Sequence, residues 1–283
     1  MSIPVANMAC RGTVPHTMMG NCFTRNSWQS NNRFWKVYND GKQCYYITSL
    51  DGEKWSTETV ICRLDANNQP VNSQGGCQIS CYYDVVNNYV HFAVAQFYYA
   101  DSSHYSPLYY FRGRPEDNGT ITWTPGHINA DGTPELQIVY GANDSYWYCP
   151  TICCGDDGKP AIGACYGTAG YRKPYVWKSD ATDGTWHAVL DTYQLNSTGV
   201  TGSEYWVVQL FPIRDGTNNN TDILVIYARS ASTTAASRIL ATNGSISGAT
   251  VFNMSYLPNG SISASMSNTG AAMFCYIRAG TLQ

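Results

Sequence analysis

One pattern recurs along this chain: an apolar strand-like run, a turn, a second apolar run, a loop, an aromatic run, a tight Asp/Asn-Gly turn and a closing run. The first copy holds Asn31 to Tyr38, then Cys44 to Trp55; the second holds Asn87 to Val94, Leu108 to Arg112 and Asp117 to Trp123. A third runs Asp157 to Cys165, Tyr175 to Ser179 and Asp183 to Trp186. A fourth runs Asp222 to Tyr227 and Arg238 to Ser247, with Gly248 where the others place Trp. The fifth is half a copy, Ser261 to Met266 and Ala272 to Arg278 around a turn at Asn268-Thr269-Gly270. Self-similarity at a fixed period is the mark of a repeat architecture, because a single unit cannot bury its own apolar faces.

Each copy predicts a four-stranded antiparallel sheet. Asn-Gly and Asp-Gly between strands signal hairpins whose central residues must tolerate φ > 0. The Trp after the turn is placed to cover the sheet edge and pack on its neighbour. Sheets of this kind arranged radially make a β-propeller. The expectation is an all-β, five-bladed propeller in a single domain over residues 1–283, with blades near 20–75, 76–145, 146–203, 204–252 and 253–283. The segment 2–12 would complete the last blade and remove an exposed edge. A stacked sandwich has similar strand spacing and is the competing architecture.

Composition agrees with strands rather than helices. Tyr is abundant (22 of 283 residues), Gly (25) and Pro (12) punctuate the chain, and only 13% of residues are charged. Helix formers are underused, which argues against a bundle or a doubly wound α/β fold. A formal net charge of −3 gives no basic surface of the size nucleic acid binding needs. No apolar run is long enough for a transmembrane helix, so no membrane insertion is expected.

The N-terminus, Met1-Ser2-Ile3-Pro4-Val5-Ala6-Asn7, lacks the basic start and apolar centre of a signal peptide. Sequons at Asn118, Asn143, Asn196, Asn219, Asn243, Asn253 and Asn259 suit a glycosylated, extracellular or surface-exposed protein; the plainer reading is that Asn/Ser/Thr-rich turns create them by chance. Eleven cysteines leave at least one without an internal partner. Cys77, Cys81, Cys149, Cys153, Cys154, Cys165 and Cys275 lie in apolar runs, where a reduced Cys acts as a small hydrophobe. Cys77 and Cys81 stand roughly 13 Å apart along a strand, too far to bridge. With no C-x2-C pair and no H-x-x-x-H, neither a metal nor another cofactor is expected.

The run Ser49-Leu50-Asp51-Gly52-Glu53-Lys54-Trp55 resembles the Asp-box of sialidase-type (BNR) repeats, S-x-D-x-G-x-x-W, shortened by one residue between Asp and Trp. Segments 116–123 and 179–186 are looser versions. The resemblance extends over about residues 20–250 as blade grammar. It implies a propeller but no particular activity, because the Asp-box is a turn remote from the ligand face. A sialidase-like site implies three arginines on a carboxylate, an Asp acid and a Tyr nucleophile activated by Glu, and no Arg here sits in a motif that carries those roles over. Five-bladed glycosidases imply three carboxylates on inner strands. The candidate inner strands (Cys22-Phe23-Thr24, Gln78-Ile79-Ser80, Thr151-Ile152-Cys153, Gln209-Leu210-Phe211, Ser261-Ile262-Ser263) contain none.

In a propeller, the connections from the fourth strand of one blade to the first of the next share a face with the second-to-third loops. Those segments bring together Tyr98, Tyr99, His104, Tyr105, Tyr146, Trp147, Tyr171, Arg172, Tyr205, Trp206, Arg229 and Arg278. Aromatic planes suit the C–H face of a pyranose, and planar polar groups pair with its hydroxyls. The alternative is that Trp147 and Trp206 plug the channel or wedge between blades. Hydrolysis would need two carboxylates opposed at about 5 to 10 Å. Asp40, Asp101, Asp144 and Glu204 are the acids left on this face, and Asp101, Asp144 and Glu204 are the catalytic candidates. Most other acids fall in blade turns.

Three readings follow: a lectin-like or receptor-binding module for carbohydrate, a sialidase-like glycoside hydrolase, and an assembly propeller of a virion or cell surface.

Overall fold

Along the strands, apolar side chains alternate with the two-residue period of a pleated sheet, and in the middle of the molecule both phases of that alternation are buried. The computed structural model describes residues 26–39, 43–63, 77–96, 98–100, 103–105, 108–124, 132–134, 137–140, 146–168, 171–186, 194–196, 206–213, 222–229, 234–253, 262–266, 272–278 and 281–282. Every element among them is a strand or a turn. None is a helix long and apolar enough to cross a membrane.

The first sheet is an antiparallel meander of β1 (Ser27–Ser30), β2 (Arg33–Asn39), β3 (Gln43–Ser49) and β4 (Thr59–Arg63). The second begins with β5 (Cys77–Asp84) and β6 (Tyr89–Gln96). A separate hairpin of β7 (Tyr98–Ala100) and β8 (Ser103–Tyr105) follows, and the sheet resumes with β9 (Leu108–Pro115) and β10 (Ile121–Trp123). β11 (Gln137–Tyr140) also pairs with β9, so β10 and β11 share the fourth-strand position. The third sheet comprises β12 (Tyr146–Cys154), β13 (Pro160–Thr168) and β14 (Tyr171–Lys178). Gln194 bridges to Tyr175 along its outer side. The fourth is β15 (Trp206–Pro212), β16 (Ile223–Arg229), β17 (Thr234–Leu240) and β18 (Thr250–Asn253). The fifth is β19 (Ile262–Met266), β20 (Ala272–Arg278) and β21 (Thr281–Leu282).

Three cores lie between consecutive sheets. Trp35, Val37, Tyr46 and Ile61 of the first sheet meet Val90, Phe92, Val94 and Phe111 of the second. The intervening residues Ala93, Ala95, Leu108 and Tyr110 point the other way, onto Ile152, Ile162, Ala164 and Trp177 of the third. The third sheet alternates likewise, sending Cys153, Ala161, Cys165 and Val176 toward Trp206, Val208, Val225 and Tyr227 of the fourth. The second and third sheets are thus covered on both faces, unlike either layer of a two-layer sandwich. Phe92 is fully buried, stacked on Phe111 at 4.9 Å and edge-on to Trp123 at 6.0 Å. Burial of such a side chain contributes about 1.5–3 kcal/mol.

One end of the sheets is tied by tight turns. At 116–120, 155–159 and 241–245, the first residue's N–H donates to the carbonyl of the fifth, and the glycine N–H donates to the carbonyl of the first. Asn118, Asp157 and Asn243 each accept the N–H two residues on. Only the glycines Gly119, Gly158 and Gly244 have positive φ. The Asp/Asn-Gly turns are therefore not the pairs of left-handed residues expected from the dipeptides; the Asp or Asn caps the turn with its side chain and Gly alone takes the left-handed bend. The two-residue hairpin with both φ positive is instead Asn31-Asn32, between β1 and β2.

These turns also carry links between sheets. Arg33 Nε donates to the Asp117 carbonyl at 2.7 Å and Asn31 Nδ2 to the Pro115 carbonyl at 2.7 Å, from the first sheet to the second. Arg112 Nη1 donates to the Thr182 carbonyl at 2.7 Å, from the second to the third. Trp186, after the third sheet's turn, packs edge-on against Tyr110 of the second at 5.3 Å, as expected of a Trp in that position.

The cysteines divide. Cys44, Cys81, Cys153, Cys154 and Cys165 are buried thiols outside any disulfide, as small hydrophobes would be. Cys149 departs from that expectation: it is disulfide-bonded. It also has a φ of 55°, at the point where the β12–β13 register shifts.

Candidate ligand site

Strand register decides which candidate residues share an end. Tyr146 and Trp147 begin β12 and pair with Gly167 and Tyr166 at the end of β13; Tyr171 and Arg172 begin β14 and pair with Thr168 and Gly167. Trp206 begins β15 and pairs with Arg229, the last residue of β16. Two contacts between sheets align these ends. The Trp206 N–H donates to Cys165 Sγ at 3.4 Å, and the Cys149 N–H donates to Gln78 Oε1 near the start of β5. The same end of the second sheet carries the β7–β8 hairpin, with Tyr98 opposite Tyr105 and Tyr99 opposite His104. The segment between β6 and β9 is thus a small hairpin of its own. Arg278 ends β20, opposite Thr281.

Tyr205 and the acids Asp40, Asp101, Asp144 and Glu204 lie outside the described residues.

Trp206 is not in a connecting loop. It is the first residue of β15, only 7% exposed, and it belongs to the core between the third and fourth sheets. Its ring lies 5.9 Å from that of Tyr227. The residue wedged between the sheets also lines a pocket of about 220 Å³.

That pocket follows two cross-strand rows on the face of the fourth sheet that meets the third. One row holds Trp206, Arg229 and Thr234; the next holds Tyr227, Ala236 and Val251. Asn196, beside the buried Leu195 that lies against β14, contributes from the third sheet. Arg172 is on the same face of β14 as Val176, which is packed toward the fourth sheet, and its charge acts on Cys165 beside Trp206. Of these two arginines, Arg229 lines the pocket.

The buried indole Nε1 of Trp206 has no hydrogen-bond partner among the described residues. The Tyr227 hydroxyl accepts from Arg238 Nε at 3.2 Å, which fixes the ring beneath the pocket. Burial pushes the Cys165 thiol up to about 12, against the opposing pull of the Trp206 N–H and the Arg172 charge. The thiol stays protonated at neutral pH and is not a nucleophile.

No family model matches the sequence, and no curated protein matches it. Solved structures do resemble it. A protein of unknown function from Dyadobacter fermentans DSM 18053 matches with a TM-score of 0.57 at 11% identity, over 94% of this chain and 77% of that one. The likeness is one of fold. Lower in similarity, an endo-arabinase from Bacteroides thetaiotaomicron VPI-5482 matches with a TM-score of 0.46 at 11% identity, over 92% of each chain. Polysaccharide lyase Uly1 matches with a TM-score of 0.46 at 10% identity, over 100% of this chain and 74% of the other.

Asn196, Tyr227, Thr234, Ala236 and Val251 were not legible as site residues. For Tyr227, Thr234, Ala236 and Val251 the signal is strand register: once Trp206 is opposite Arg229, the next positions on the same face follow from pairing. The only histidine with a described side chain in a buried polar contact, His91, belongs to the opposite, turn-bearing end. Its Nδ1 is 2.8 Å from the Tyr110 hydroxyl, and burial, aided by the Arg112 charge, pushes it down to about 3.

Proposed function

We propose that this chain is a carbohydrate-recognising, five-bladed β-propeller, its last blade completed by the N-terminal segment, acting as a lectin-like or receptor-binding module. The binding face is the end that carries the β7–β8 hairpin and the starts of β12, β14 and β15. The observation that carries this reading is the pocket in which a tryptophan, an arginine, an amide and a hydroxyl come together: Trp206, Arg229, Asn196 and Thr234. An indole covers the apolar face of a sugar ring, while guanidinium, amide and hydroxyl groups satisfy its oxygens. Tyr98, Tyr99, His104, Tyr105, Tyr146, Trp147, Tyr171, Arg172, Tyr205 and Arg278 are the further ligand contacts in this proposal. Among the described lining residues none is a carboxylate.

A glycan array tests the proposal. Binding of a defined saccharide class, with no turnover of chromogenic glycosides, is the expected result. No binding above background would remove the lectin reading. Turnover abolished by loss of Asp101, Asp144 and Glu204 together would replace it with a sialidase-like hydrolase.

A further inference from the structure

Three tight turns share one scheme and differ in the residue that caps it: Asn118 at 116–120, Asp157 at 155–159 and Asn243 at 241–245. One side-chain oxygen of each accepts the N–H two residues on, at 3.0, 3.1 and 2.9 Å. The second side-chain atom separates them. Asp157 Oδ2 pairs with Lys178 Nζ at 3.1 Å. Asn118 and Asn243 engage only Oδ1, and Nδ2 of neither has a partner among the described residues. Asp and Asn both supply the capping oxygen. The amide nitrogen is therefore the part of these two side chains that the turn does not use.

Both asparagines are exposed, and each is followed two residues on by an exposed hydroxyl residue, Thr120 and Ser245. Asn-x-Ser/Thr is the acceptor sequence for an N-linked glycan. Both turns belong to the turn-bearing end, away from the β7–β8 hairpin and the starts of β12, β14 and β15. The sequon at Asn196 differs: that residue is half-buried and lines the pocket. A second observation concerns the compartment. Cys149 is disulfide-bonded, and structural disulfides form and persist in the oxidising compartments through which glycoproteins pass.

We propose that Asn118 and Asn243 carry N-linked glycans, which cover the turn-bearing end and leave the opposite end clear. Attachment joins the asparagine Nδ2 to the anomeric carbon of an oligosaccharide donated by a lipid-linked pyrophosphate. The bond from that carbon to the pyrophosphate oxygen breaks, the lipid pyrophosphate leaves with the electron pair, and the amide gives up one proton. Nothing is oxidised or reduced. Oδ1 is still an acceptor in the glycosylated amide, so each turn keeps its cap. Glycans at these two positions are independent of what the opposite end binds.

The test maps glycans by mass spectrometry on the full chain from its native source and on the full chain secreted by a eukaryotic host behind a cleavable leader. Endoglycosidase trimming leaves one N-acetylglucosamine on each occupied asparagine, a tag that deamidation of an Asn-Gly pair does not mimic. Asn118→Asp and Asn243→Asp, singly and together, are secreted beside the parent. The expected result is a glycan on both asparagines in both materials, one lost in each single variant, and a double variant that melts with the trimmed parent. Both asparagines bare in the native chain overturns the proposal, whatever the host attaches. A glycan on only one of them removes the other, and a glycan on Asn196 with these two bare overturns the proposal by moving the modification onto the pocket. Should an Asp variant fail to be secreted, Thr120→Val and Ser245→Ala, which keep the asparagine and remove the hydroxyl, decide in its place.

Discussion

Gly163 on β13 faces Val208 on β15 so closely that a methyl group on the glycine would lie 2.5 Å from Val208 Cγ1. Ala161, Gly163 and Cys165, alternate residues on one strand face, let the third and fourth sheets approach at this point. Gly163→Ala is expected to destabilise the protein by about 1–3 kcal/mol through overpacking. Adding Val208→Ala to it should cost less than the two changes summed, and denaturant melts of both singles and the double measure that coupling.

Lys178 Nζ and Asp157 Oδ2 form an ion pair at 3.1 Å, with side-chain exposures of 3% and 16%. Asp157 also accepts the Lys159 N–H at 3.1 Å. Asp157→Ala is expected to cost about 3–5 kcal/mol, because it removes a carboxylate held against a buried ammonium. The double variant Asp157→Ala with Lys178→Met should recover much of that loss. A double variant as unstable as the single one would show that the turn hydrogen bond, not the charge, carries the effect.

Asp51 accepts hydrogen bonds from Lys54 N, Glu53 N and Ser49 Oγ, at 2.8, 2.8 and 3.0 Å. In that order they lower its carboxyl from 3.8 to about 2. Because the folded value is below the unfolded one, the stabilisation is fully present above about pH 4 and is lost as pH falls toward 2. Asp51→Ala should therefore melt earlier than the parent at neutral pH, and the gap should narrow over that acid range. A gap that is constant from pH 7 to pH 2 would show that the ionised carboxylate contributes nothing.

Trp206→Phe keeps a ring against Tyr227 and removes the indole donor. Saccharide affinity is expected to fall roughly two- to tenfold, the range of one neutral hydrogen bond. Unchanged affinity in titration would take Trp206 Nε1 out of the ligand contacts.

The sheets were legible because their signals are local. Short apolar, β-branched and aromatic runs at Tyr89 to Val94 and Ile223 to Tyr227, bounded by Asn- and Asp-rich turns, specify strands whichever neighbours they meet. Turn geometry was only half legible: Asn118-Gly119 marks a turn, but whether the Asn takes a left-handed conformation or caps with its side chain depends on how many residues the flanking strands leave between them. Trp206 was expected in a connection before the inner strand and is the strand's first residue. Its dual position, in the core and in the pocket, depends on Cys165 of another sheet. Asn196 gave no signal, since it reaches the pocket from the third sheet, across the cleft from Trp206.

The ties among the turns run in one direction: Arg33 reaches forward across 84 residues to Asp117, and Arg112 across 70 to Thr182. Energetically, each described sheet is coupled chiefly to its immediate successors in the chain, the nearest-neighbour regime of repeat proteins. In that regime, damage at one junction need not be shared by the whole molecule. Loss of Arg112 should loosen amide protection at the seam between Tyr110 and Trp177 well before it reaches the strands around Trp206. Hydrogen exchange would resolve the molecule into cooperative blocks that fray separately rather than into one all-or-none unit.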